Sequence, residues 1–206
     1  GENWLVQQYR INNITTTSLT DLNTVPKNDT PQVFAGAFTS GNHEVTVGDR
    51  TFQFRGLPYA GVEVDSVQQL LPQTKTLLDE NFTADSVYEM NDYSIVHLAT
   101  HATFLQGQPE DSFILFGNGD RATLSDLETW QLPNVDLVVL SACETGVGGL
   151  GDGREILGLG YQIQLTGARA AIASLWPVSD GGTQALMTNF YGALQTDGIT
   201  KTEALR

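Results

Sequence analysis

The chain has 206 residues, 40% of them hydrophobic, with 24 acidic against 10 basic side chains and a net charge of −14. That length suits one domain with a sizeable core, and so acidic a surface would repel a phosphate backbone, so no nucleic-acid partner is expected. No apolar run approaches the ~20 residues of a membrane span, no signal peptide is legible, and one cysteine excludes an internal disulfide; a cytoplasmic protein without a membrane partner is the expectation.

Residues 1–55 read as a β-rich, irregular N-terminal portion of the same domain. Pro26 and Pro31 stand in loop-like sequence, and Glu44–Val47 and Thr51–Phe54 alternate apolar with polar residues around Gly48, the pattern of a hairpin. From residue 56 to 206 helix and strand patterns alternate. A helix is predicted over Val62–Leu71, stopped by Pro72, and another over Thr83–Met90 with Thr83 as its cap. Ser94–Thr100 reads as a buried strand. A hairpin at Phe113–Phe116 and a short helix at Ser125–Trp130 lead to a second buried strand, Asp136–Ser141. Helix Arg154–Leu165, strand Arg169–Leu175 and helix Thr183–Leu194 complete the series. Buried strands separated by helices predict an α/β fold with a mostly parallel sheet of about six strands. The chain ends at Ala204-Leu205-Arg206 in helical sequence, so a longer protein is expected.

Functional groups of parallel sheets gather beyond the carboxyl ends of the strands. His101 closes the strand at Ser94–Thr100, and Cys143 closes the one at Asp136–Ser141. A thiol and an imidazole on one rim could form a nucleophile–base pair, and two strand-to-loop turns could supply amides for an oxyanion. His before Cys, a few tens of residues apart, matches the order seen in caspases rather than in papain. On spacing alone, a structural histidine and a buried structural cysteine fit about as well as a catalytic pair.

Longer motifs add to the spacing. His97-Leu98-Ala99-Thr100-His101-Ala102 and Leu140-Ser141-Ala142-Cys143-Glu144-Thr145-Gly146 resemble the two signature segments of the CHAT family. Ala173-Ser174-Leu175-Trp176-Pro177-Val178-Ser179-Asp180, Phe190-Tyr191 and Glu203-Ala204-Leu205-Arg206 are similar to further family segments. Trp4 and Ser18–Leu22 resemble the family's amino-terminal portion.

The resemblance implies a caspase-like three-layer sandwich related to separases and gingipains, with residues 56–206 as its catalytic core. It implies a cysteine endopeptidase acting on protein or peptide substrates, without cofactor or metal, and often joined to tetratricopeptide repeats. By the same resemblance His101 is the catalytic base, Cys143 the nucleophile, and the amides of Ala102 and Cys143 the oxyanion hole; caspases have glycine in the place of Ala102. His97 is expected as a buried strand residue. Glu144, Trp176 and Asp180 are candidate substrate-binding residues. Trp176 lines the pocket or packs in the core, and Asp180 is also a natural cap for the helix after it, while the acid that meets a P1 arginine in separases aligns with Gln184. Glu144 and the negative field disfavour a thiolate, so weak activity of the isolated domain is expected. The alternative is a regulatory or scaffold domain of the same fold.

Gly146–Gly151 matches a dinucleotide fingerprint by letter, yet Asp152 and Gly153 intervene before the helix, and Ala171 stands where an acid is needed. Residues 144–153 are therefore read as a loop beside the nucleophile.

Overall fold

The computed structural model describes residues 4–9, 11, 30–103, 110–141, 154–174 and 178–206. After a helical turn, α1 (Leu5–Gln8), the first strand is β1 (Val33–Ala37), buried at all five positions. The hairpin β2 (Asn42–Val47) and β3 (Arg50–Arg55) follows, pairing Val47 with Arg50 across a turn in which Gly48 takes φ +57°. Positive φ at that place is what a two-residue hairpin turn asks of glycine.

Helix α2 (Pro58–Leu70) begins earlier than the apolar spacing suggests because Pro58, with its preset φ, occupies the first turn. It ends as predicted, since the residue ahead of Pro72 is disfavoured in helical conformation; Leu71 leaves at φ −125°, ψ 89°. Strand β4 (Thr74–Leu78) comes next, then 3₁₀ turns at Asp79–Asn81 and Ala84–Ser86, with Thr83 at the cap position of the second. That turn runs into α3 (Val87–Met90), so the predicted helix at Thr83–Met90 is half 3₁₀.

Strand β5 (Ile95–Ala99) is followed by a small antiparallel sheet of β6 (Ala102–Thr103), β7 (Phe113–Leu115) and β8 (Arg121–Thr123). Helix α4 (Leu124–Leu127) is capped by Thr123, whose hydroxyl accepts from Asp126 N–H. Then come β9 (Leu137–Leu140), α5 (Arg154–Leu165), β10 (Ala171–Ala173), α6 (Asp180–Leu194) and α7 (Lys201–Leu205).

Among the described residues the main sheet has five strands in the order β10-β9-β5-β1-β4, every pair parallel. Its strands alternate sides. Val33, Ala35, Ile95, Leu137 and Val139 pack with Val64 and Val67 of α2 and Met187 and Phe190 of α6. Phe34, Val96, Leu98, Val138 and Leu140 pack the other way, with Met90, Leu127 and Ile163. Helices therefore cover both faces, giving a caspase-like α/β sandwich of three layers. Gly36 of β1 makes room for the buried Phe82, since a Cβ there would fall 2.3 Å from the Phe82 ring. No helix among the described residues is long and apolar enough to cross a membrane.

The connections reverse direction at β1: the chain passes outward to β4, then returns to lay β5 on the opposite side. Such a switch point opens a crevice at the carboxyl ends of the two strands it separates. His101 stands two residues beyond the end of β5.

Candidate active site

Three segments hold His101 at that strand end. Strand β5 delivers it, the His101 carbonyl accepts from Leu115 N–H at 2.9 Å, and the β2–β3 hairpin covers it. Phe54 places its ring 5.1 Å from the imidazole centroid, and Phe38 stands edge-on at 6.0 Å. The residue is only 2% exposed. Its Nε2 lies 2.7 Å from the Arg55 carbonyl oxygen. A carbonyl only accepts, so Nε2 carries hydrogen, and in the neutral ring Nδ1 is the nitrogen that can take a proton.

The Arg55 carbonyl is held by a close backbone crossing. Gly56 N–H donates to Gly41 C=O at 2.9 Å, and a Cβ on Gly56 would fall 2.3 Å from Ser40 N. Ser40 is itself anchored. Asp79, with φ +48° just past β4, accepts from the amides of Thr39 and Ser40 at 2.6 and 3.0 Å and from their hydroxyls at 2.8 and 3.0 Å. Burial alone would push the Asp79 carboxyl up, but these four hydrogen bonds together hold it below the usual carboxylate range.

Ala102 pairs with Ile114, and Leu115 N–H donates to His101 C=O, so Ala102 occupies a non-hydrogen-bonded position of the β6–β7 ladder. Its N–H is directed away from β7. Asp79 is the one non-glycine residue with positive φ among those described. Ala102 therefore needs no glycine-like backbone, and alanine supplies the amide as glycine would.

Asp180 is not the cap of α6. Ser179 takes that place, its Oγ accepting from Gly182 N–H at 3.2 Å. Asp180 instead accepts from Tyr59 N–H at 2.9 Å, serving the first turn of α2, where no side chain of α2 itself caps. Burial raises its carboxyl above the usual range; the Tyr59 amide opposes that, Glu63 adds to it, and His101 opposes it. Gln184 bonds within its own helix, to Thr188 Oγ at 2.9 Å.

His97 is fully buried in β5, as expected, with Nδ1 2.9 Å from Tyr191 OH. Burial and the nearby Glu63 push the Tyr191 phenol well above its ordinary range, so it stays protonated. Glu63 of α2 completes this buried polar cluster.

Cys143, Glu144, Trp176 and the glycine-rich stretch 144–153 lie outside the described residues, as does Leu175 at the end of the third predicted strand. Among the described residues no group of three or more His, Cys, Asp or Glu side chains could hold a metal ion. Arg55, Phe54 and Glu63 were not legible as site residues. Arg55 contributes its main chain, which leaves no side-chain signature. Glu63 did leave a signal: an acid at helical spacing from Ala60 and Val67, on the face of α2 that must be apolar.

The search of curated proteins finds no match. The family model described as CHAT domain matches residues 1–206, the whole chain. The chain belongs to the CHAT domain family, which is related to the caspase-like peptidases.

Proposed function

We propose that this domain is a cysteine endopeptidase in which His101 and Cys143 act as the base–nucleophile pair. The observation that carries the reading is the pairing of β5 with β9. Leu98 lies opposite Leu140, and His101 and Cys143 each follow their paired leucine by three residues in the chain. Two neighbouring parallel strands thus end side by side, and the residue types that nucleophilic catalysis needs follow each of them in the sequence.

In this reading the Arg55 carbonyl fixes the imidazole, and Nδ1 takes the Cys143 proton. The thiolate attacks the scissile carbonyl, whose oxygen is received by the amides of Ala102 and Cys143. The imidazolium then protonates the leaving amine. Water, deprotonated by His101, cleaves the thioester and returns the thiol. Substrates are proteins or peptides, with Glu144, Trp176 and Asp180 as their proposed contacts. A tetratricopeptide-repeat region elsewhere in the polypeptide is the proposed partner, and the cytoplasm the proposed location.

Labelling with an electrophilic peptide probe tests the pair. Modification of Cys143 that is lost in His101→Ala supports the peptidase, whereas equal labelling with and without His101 favours a scaffold of the same fold.

A further inference from the structure

Glu63 is a carboxylate on the buried face of a helix. It lies among Ala60, Val64 and Val67, where α2 packs on the sheet, and is 1% exposed. Removing an ionised carboxylate from water is costly unless polar groups replace the water. Here those groups come from two neighbouring strands and converge on one atom. Ser141 Oγ donates to Glu63 Oε1. His97 Nε2 stands 2.8 Å from the same oxygen, off the axis of an aligned hydrogen bond.

The two strands are the ones that lead to the proposed catalytic pair. His97 belongs to β5 and precedes His101 by four residues, while Ser141 directly follows β9 and precedes Cys143 by two. Ser141 is also tied to β5 through its own amide, which donates to Leu98 C=O at 3.0 Å. Among the described residues, further ionisable groups near Glu63 come from α6: Tyr191, bonded to His97, and Asp180 in the first turn. A buried polar cluster of this kind is no general source of stability, because well-packed apolar residues in its place are often neutral or stabilising. Its placement across two strand ends suggests registry instead.

We propose that Glu63 is a positioning residue: by holding Ser141 and His97 on one oxygen it fixes the offset between the ends of β5 and β9, and with it the approach of His101 to Cys143. The inference, which rests on the peptidase reading above, concerns the geometry of the pair and not the chemistry of Glu63 itself.

The rate of Cys143 alkylation by iodoacetamide, followed against pH, tests it without requiring turnover. The comparison takes the intact domain, His101→Ala, Ser141→Ala, Glu63→Leu and Glu63→Gln, with thermal unfolding of each as a control for folding. Ser141→Ala and Glu63→Leu should each slow alkylation at pH 7 by about tenfold and move the midpoint toward that of His101→Ala. Glu63→Gln should recover most of the loss, since its amide oxygen can accept from Ser141 as Oε1 does. A purely structural role would lower the unfolding temperature and leave the midpoint in place. If Glu63→Leu does not fold, Ser141→Ala decides, because it leaves Glu63 with His97. A wild-type rate and midpoint in Ser141→Ala, alongside a displaced profile in His101→Ala, overturns the inference and spares the peptidase reading. Identical profiles for the intact domain and His101→Ala overturn both.

Discussion

His101 and Arg55 meet through the main chain: the imidazole donates from Nε2 to the Arg55 carbonyl oxygen, 2.7 Å away. The orientation of the proposed base therefore depends on where the backbone runs at the end of β3. That path is set by Gly56, which passes too close to Ser40 to tolerate a side chain.

Gly56→Ala should displace the carbonyl that holds the imidazole. We expect kcat to fall by roughly 10- to 100-fold, the scale on which small misplacements act in catalysis, with a stability loss of about 1–3 kcal/mol from overpacking. Steady-state kinetics beside denaturant unfolding separates the two effects.

Gly36→Ala probes packing far from the chemistry. Its Cβ would overlap the Phe82 ring inside the core, and overpacking of this kind costs about 1–3 kcal/mol. Combining it with Phe82→Leu should recover part of the loss, so a double-mutant cycle should show clear coupling between the two sites.

Tyr191→Phe removes the phenol that satisfies buried His97, and should cost about 1–3 kcal/mol as measured by urea unfolding. Its pH dependence has a definite sign. A phenol whose folded pKa is raised contributes stability that is complete below its unfolded value, about 10, and is lost as pH rises from there toward the folded value. Tyr191→Phe should therefore lose less stability between neutral and alkaline pH than the unaltered domain.

Asp79 and Asp180 should respond to acid with opposite signs. The Asp79 carboxyl is held low, so its contribution is present above the unfolded value of about 3.9 and is lost as pH falls below it through the folded value. Asp180 is raised by burial, so protonation favours the folded state and stability is gained as pH falls through its folded value. Asp79→Asn should flatten the acid limb of an unfolding-midpoint profile, and Asp180→Asn should steepen it.

The elements that were legible in sequence are those with long apolar runs or clean periodicity. Strand β9 is a continuous apolar segment, β5 is one interrupted only by His97, and α5 matches its predicted bounds of Arg154–Leu165. Strand β1 escaped because Gly36 and two alanines dilute its apolar signal, the glycine being there to admit Phe82 from elsewhere in the chain. Strand β4, Thr-Lys-Thr-Leu-Leu, lies at the sheet edge and is mostly half-buried, so it lacks the pattern of a core strand. Helix α6 starts three residues before its prediction because Asp180-Gly181-Gly182 reads as loop, although Ser179 caps it.

At the site, His101 was legible because chemistry constrains residue type at a strand end. Its orienting partner was not, since a carbonyl is common to every residue. The anchoring of Asp79 to Thr39 and Ser40 joins segments 40 residues apart and has no local pattern. The position of Asp180 at the start of α6 suggests a cap for that helix, but the amide it serves belongs to Tyr59 of α2, 121 residues away.

The most direct measurement is cleavage of a diverse peptide library, read by mass spectrometry, by the intact domain beside Cys143→Ala and His101→Ala. The account predicts cleavage products with the intact domain and none with either variant. Cleavage that persists in both variants, or that survives loss of His101 alone, would contradict it.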